Sequence, residues 1–481
     1  MLDVADRKQL FIDHRFIDTA RNVELAVNPP VKLPGPVLRS EHPWEAFSIG
    51  WSSVLEEDGL FKLWYAASDS DQWSGGRWHL CYATSADGRT WEKPELGLVE
   101  YGGSKRNNIV LADCKLADVF IDPNGGEADR YKLVEQVLGQ GIRIGTSADG
   151  LAWDMPDRLV CALKPDTPKQ VYWDARIGRY VAWLKLTVAD DGTPMFPFVD
   201  PIDSDPPVIA PRLLRPGRSI GRIEVDDLTA PWPEQNIRTV LAADEHDPPD
   251  SDIYHHDVLP YGEAEDAYFM FPMTYQHFGE GETTVRNDGL NDAQFAASRD
   301  SIHWMRYDRR PYIGRGLPGT FDGGTIHASP AHRRHGDRFL QMYTGSPWTH
   351  GGFRALSDDE RRGRGYGNGL GLVEQRLDGF VSADAAYTGG TLTTPPLRFA
   401  GEGLELNIDV AAMGQTQVEI RDEAGRPLPG FELSRCRRVM VNDVRHTVSW
   451  NGSPSLGSHA GRPIRLHFDM RSAKLYAFRF R

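Results

Sequence analysis

A seven-residue pattern, Ser-x-Asp-Gly-x-x-Trp, occurs at Ser85–Trp91 and again at Ser147–Trp153, and returns with Ser in place of Gly at Ser298–Trp304. Degenerate versions lie between and after these copies, as VDDLTAPW around Asp227 and Trp232 and as RLDGF around Asp378 and Phe380. The aspartates Asp87, Asp149, Asp227, Asp300 and Asp378 are spaced by 62, 78, 73 and 78 residues. Self-similarity at a near-constant period requires one supersecondary unit used repeatedly, because each unit alone cannot bury its apolar face.

Each turn is preceded by β-type runs. In the first unit these are FSIGWSSVL, LFKLWYAAS and WHLCYATS, with TWEKPE opening a fourth; later units offer ADVFID, RYKLVEQVL and GIRIGTS, then KQVYWD, RYVAWLKL and RSIGRIEV. DIYHHDVL, AYFMFPMTY and DAQFAASR, then GTIHASPA, RFLQMYTG and GLGLVEQRL, complete the series. Four strands per unit and five units describe an all-β chain with a five-bladed β-propeller over residues 1–390. The Asp-Gly pairs read as tight turns, since Gly supplies positive φ and Asp caps nearby N–H groups. From about Thr391 the alternating stretches lose the turn motif, and residues 391–481 are expected to form a β-sandwich. The segment LFIDHRFIDTARNVELAVNPP is expected either to complete the fifth blade or to pack on the sandwich.

Composition agrees. Forty-eight Gly, 33 Pro and 10% aromatics argue against a helical bundle, coiled coil or disordered chain. A net charge of −14 argues against a nucleic-acid partner. No run approaches a transmembrane helix and the start shows no signal pattern, so a location without membrane contact is expected, cytoplasmic, or secreted if a leader has been trimmed. Cys81, Cys114, Cys161 and Cys436 lack metal or disulfide spacing.

In a propeller the first strand of each blade lines a central channel. Carboxylates at those strand starts are Glu45, Asp118, Asp166, Asp252 and Asp322, the candidate catalytic set. Carboxyls brought together divide into a protonated acid and an ionised base or nucleophile, the division that glycosidic cleavage requires. Loops on the same face add Asp69, Trp73, His277, Trp348 and His350, and the strands add Arg218, Tyr254, His255 and His327, as candidate sugar-binding groups. Trp73 and Trp348 read equally as packing residues, and Arg218 and Arg222 as partners of a neighbouring acid. Adjacent strand residues face opposite ways, so His255, His256 and Asp257 with Asp252 are not expected to hold a metal, and no cofactor is implied. The 190–217 segment reads as a lid or as a clasp onto a second copy of the chain in a homo-oligomer.

The LFIDHRFI opening, HPWE, YATSADGRTWEKPELGLVEY, FIDPN, YWDARIGRYVAW, SRDSIHW, FDGGTIH, RLDGFVS and LYAFRF together resemble the five-bladed-propeller glycosidases of families 32, 43 and 68, most nearly family-32-like proteins of uncertain specificity. The resemblance implies, by position, Glu45 for the nucleophile, Asp118 for the stabiliser and Asp166 for the acid. The invertase strings W-x-N-D-P-N-G, Arg-Asp-Pro and Glu-Cys do not occur here, which brings Asp252 and Asp322 forward. The leading expectation is a glycoside hydrolase releasing a terminal sugar from an oligosaccharide or glycoside. The alternatives are a non-catalytic carbohydrate-binding or assembly propeller, and a transglycosidase or lyase on the same scaffold.

Overall fold

The computed structural model describes residues 1–70, 77–114, 116–137, 140–163, 167, 169–187, 217–279, 282–283, 285, 287–361, 365–453 and 455–481, and every pairing, partner and absence below concerns those residues. The chain is nearly all β. Successive antiparallel meanders place their first strands innermost, a propeller arrangement.

The first meander joins Ser48–Glu57, Leu60–Ser68, Trp78–Ser85 and Ile109–Ala112. Its outer strand is not the TWEKPE run, which makes only a bridge from Glu92 to Thr84. Pro94 removes a ladder donor from that run, and the apolar NIVL stretch takes its place. The second meander holds Ala117–Ile121, Tyr131–Val137 and Gly141–Ser147, and the third Gln170–Asp174, Arg179–Thr187, Arg218–Val225 and Arg238–Ala242. In the next unit every run splits in two. Ser251–His255, Met273–His277 and Gly289–Ala293 form one ladder, while Val258–Pro260, Tyr268–Met270, Ala296–Ser298 and Met305–Arg306 form another. Pro272, which has no N–H to donate, sits at the break between two of these halves. Last come Thr325–His335, Arg338–Ser346 and Gly369–Arg376, whose outer edge is covered by Val31–Lys32 and Leu38–Arg39 from the start of the chain.

The repeated turn has one geometry. Ser85 Oγ accepts the Gly88 N–H at 2.9 Å, and Asp87 Oδ1 accepts those of Arg89 and Thr90, each at 2.8 Å. Ser147 and Asp149 repeat this with Gly150, Leu151 and Ala152, and Ser298 and Asp300 with Ser301, Ile302 and His303. The fourth position takes φ of 70°, 78° and 61° in the three copies, so Ser301 adopts a conformation that Gly holds without strain. Gly150 is doubly required, because a Cβ there would stand 2.6 Å from the Trp64 ring whose Nε1 donates to the Gly150 carbonyl.

Polar side chains stitch the innermost strands to one another. Asp118 accepts from Ser53 Oγ at 2.6 Å and from the Val171 N–H at 3.4 Å, tying three meanders together. Gln170 exchanges hydrogen bonds with the Val258 backbone, Asp257 takes His332 Nε2 at 2.8 Å and Gln341 at 3.0 Å, and Thr344 Oγ1 accepts the Trp51 N–H at 3.0 Å. These links run from each unit to the next and back to the first. They satisfy polar groups that burial would otherwise penalise.

The segment LFIDHRFIDTARNVELAVNPP pairs with the C-terminal strands and not with the last meander. Leu2–Ala5, Gln9–Leu10, Thr19–Arg21 and Val23–Val27 enter a ten-stranded sheet with Val381–Ala385, Gly390–Thr393, Leu397–Phe399, Leu404–Asp422, Asn442–Thr447 and Ile464–Phe480. The two strands that follow join the Gly369–Arg376 edge instead. Membership in the C-terminal sheet therefore begins before Thr391 and draws in residues 2–27. The apolar residues Val4, Phe11 and Phe16 account for this, since they are buried with Leu392, Phe468 and Phe478 of the C-terminal strands, while Leu10 and Ile12 are buried with Tyr261, Phe269, Phe295 and Phe380 at the junction with the meanders. Lys8 pairs with the buried Asp378 at 2.8 Å and Arg376 donates to Asn407 at 2.7 Å across the same junction. No helix is long and apolar enough to cross a membrane.

Candidate active site

Of the five carboxylates of the sequence reading, the four described do not share one environment. Glu45 lies in the single turn Pro43–Glu45 and is wholly buried. Its carboxylate accepts the N–H groups of Glu41 and His42, the Tyr65 hydroxyl and Lys93 Nζ at 2.9 Å, so all its acceptor capacity serves the entry to the first meander. Asp322 likewise holds Lys32 at 2.6 Å, Thr320 at 2.8 Å and Tyr343 at 2.9 Å, fastening the N-terminal edge strand. Burial pushes its carboxyl up, but Lys32 and Thr320 outweigh this and hold it below the usual range. Asp166 and Trp73 lie outside the described residues, as does 190–216 of the expected lid or clasp.

Asp118 stands along the channel wall. Trp51 and Ser53 are two residues apart on the innermost strand, the first facing His255 and His327 and the second donating to Asp118. Asp118 is thus one step along the channel from the aromatic cluster described next. Burial raises its carboxyl to about 7 against the Ser53 hydrogen bond, with Asp257 adding repulsion.

Asp252 is different, because two candidate binding groups, Arg218 and His277, hold its carboxylate directly and others cluster around them. Its Oδ2 accepts Arg218 Nη1 at 2.9 Å and His277 Nε2 at 3.0 Å, while its buried Oδ1 has no hydrogen-bond partner. Burial pushes this carboxyl up, yet Arg218, joined by His277, holds it below the ordinary carboxylate range and so ionised at neutral pH. Arg218 also reaches Asn287 Oδ1 at 3.2 Å and lies 5.2 Å over the Tyr254 ring, with Lys185 Nζ 4.7 Å from the same ring. The Tyr254 hydroxyl meets His350 Nε2 at 3.1 Å. His327 stacks on Trp51 at 4.6 Å and leans toward Tyr254 at 6.2 Å.

Seven of the sequence candidates therefore converge: Asp252, Arg218, Tyr254, His255, His277, His327 and His350. They come from three of the units, and Trp51 adds a fourth. Three of the imidazoles, His255, His327 and His350, are neutral. Burial carries His327 and His350 down to about 3, and burial with His256 and His327 beside it takes His255 well below its usual value. His327 Nε2 and both ring nitrogens of His255 have no hydrogen-bond partner. No group of three or more His, Cys, Asp or Glu is placed to share an ion.

Two expected binders sit apart. Trp348 packs on Phe353 at 5.6 Å and donates its indole N–H to the Tyr366 carbonyl at 2.8 Å. Asp69 accepts Ser70 Oγ at 2.7 Å and the Arg77 N–H at 3.3 Å beside Tyr101, closing its own loop. A more open cleft of about 580 Å³ lies on the C-terminal sheet, lined by Asp422, Arg426, Leu428, His459 and Arg462. Its Arg426 and Asp422 already satisfy each other at 2.8 Å and it gathers none of the candidate residues.

Three contributors escaped the sequence reading. Trp51 occupies a bulge between Gly50 and Ser52 with φ of 47°, which turns its indole toward His327. Asn287, also at positive φ, presents its carbonyl to His350 Nδ1 at 3.0 Å. Lys185 alone had a visible signal, a lysine inside the apolar run AWLKL.

No protein-family model matches the chain, and no curated protein matches it. Among solved structures it is similar to a glycosyl hydrolase from Bacteroides ovatus, at 12% identity over 73% of this chain and 91% of that one, TM-score 0.42. An N-acetylgalactosamine deacetylase from F. plautii in complex with blood group B trisaccharide is similar at 13% identity over 74% and 96%, TM-score 0.44. A GH43_1 enzyme from Xanthomonas citri complexed with xylose is similar at 10% identity over 73% and 92%, TM-score 0.41.

Proposed function

We propose that this chain is a glycoside hydrolase that releases a terminal sugar, built as a five-bladed propeller whose ten-stranded partner sheet folds on itself as a β-sandwich. The observation that carries this is Asp252, an ionised carboxylate with one buried oxygen left unpartnered, set among neutral imidazoles and aromatic faces where four units meet. An oxocarbenium-like transition state gathers positive charge at the anomeric carbon, and a carboxylate kept ionised by Arg218 and His277 is suited to stabilise it. Asp252 Oδ1 then serves as the base that takes a proton from water, or as the attacking oxygen itself. Trp51 offers an aromatic face to sugar C–H groups, and the unpartnered nitrogens of His255 and His327 suit hydroxyls. Glu45, Asp118 and Asp322 belong on this reading to the scaffold.

The experiment is a release screen of aryl glycosides and oligosaccharides, reading free sugar and its anomeric configuration by NMR. Release of one sugar class, competed by that free sugar, supports the proposal; binding without release across the whole panel refutes it.

A further inference from the structure

Tyr254, His350 and Asn287 form a chain that Asp252 does not explain. The Asn287 carbonyl can only accept, so the 3.0 Å contact places the proton on His350 Nδ1. His350 Nε2 is then a lone pair, and at 3.1 Å it takes the Tyr254 hydroxyl proton. A hydroxyl paired with a base, and that base oriented by a third group, is the arrangement that activates a nucleophile. The Tyr254 ring is flanked by the Lys185 and Arg218 cations at 4.7 and 5.2 Å, which favours negative charge on the phenol oxygen. Asp252, His277, His327 and Tyr275 complete the polar surroundings.

On the hydrolase reading above, we infer that Tyr254 is the nucleophile and that Asp252 is the base for water in the second half-reaction. In the first step Tyr254 Oη bonds to the anomeric carbon and its proton passes to His350 Nε2. The glycosidic C–O bond breaks, and the departing oxygen takes a proton from solvent. In the second step Asp252 Oδ1 removes a proton from water as its oxygen bonds to the anomeric carbon. The C–O bond to Tyr254 breaks, His350 returns its proton to the phenolate, and Asp252 releases its proton to solvent. One water is consumed and configuration is retained through two inversions.

The test uses the full chain and the 2-deoxy-2-fluoro glycosyl fluoride of whichever sugar the release screen yields fastest. Inactivation with one sugar attached to the peptide bearing Tyr254, found by mass spectrometry, is the expected result. Tyr254→Phe should lose labelling and at least about 10³-fold in turnover, and His350→Gln should slow labelling at least about tenfold. Labelling at Asp252, an inverted product anomer, or full turnover by a Tyr254→Phe protein with unchanged melting would each overturn the assignment while leaving the hydrolase reading intact. Absence of turnover on every glycoside would remove both.

Discussion

Replacing Arg218 by Met would leave Asp252 buried with His277 as its remaining ion partner among the described residues. The side chains of Arg218 and Asp252 are 8% and 7% exposed, so solvent does little to soften the loss. Breaking such a pair from one side costs about 3–5 kcal/mol. A cooperative unit of several hundred residues has an unfolding entropy near ~0.8 kcal/mol/K, so the melting temperature should fall by about 4–6 °C. The penalty should depend on pH. In the parent protein the folded carboxyl is depressed, and its stabilising effect is present above the unfolded value and lost as pH falls through the folded one. Without Arg218 burial dominates and the folded value rises above the unfolded one, so Asp252 destabilises at neutral pH and is relieved as acid protonates it. Scanning calorimetry of both proteins from pH 7.5 to 4.5 should therefore show the gap narrowing toward acid. The acid limb of turnover should move to higher pH in the variant. An equal melting difference at every pH, or none, would refute the claim that Arg218 keeps Asp252 ionised.

Glu45→Gln should lower stability by about 2–4 kcal/mol, because Lys93 is left 5% exposed without its buried partner, while turnover per folded molecule is unchanged. Denaturant titration with an activity assay checks this. Asp118→Asn should gain roughly 2–4 kcal/mol over the parent at pH 8 and converge with it near pH 4. The reason is that a carboxyl raised to about 7 weakens the fold as pH climbs through the interval between its unfolded and folded values. Urea midpoints across pH measure it.

The repeat was legible because its turn is local: Ser and Asp accept the backbone N–H groups of the turn within six residues. The inner strands were legible for the same reason, through apolar runs bounded by turns. What each inner carboxylate does was not. Glu45, Asp322 and Asp252 look alike in sequence, and their fates are decided by Lys93, Lys32 and Arg218, the second of them 290 residues away. Nor does Trp51 announce itself, since its bulge depends on Thr344 of the last unit accepting its N–H. The pull of residues 2–27 into the C-terminal sheet arises likewise from apolar contacts across nearly the whole chain, Phe11 and Phe16 packing against Phe478.

Turnover of the best glycoside by Asp252→Asn, Asp322→Asn and Glu45→Gln, each normalised to folded protein, tests the placement of the active site most directly. The structure predicts a loss of at least about 10³-fold for Asp252→Asn with sugar binding preserved, and changes within about threefold for the other two. Full turnover by Asp252→Asn, or a comparable loss in either of the others, would contradict it.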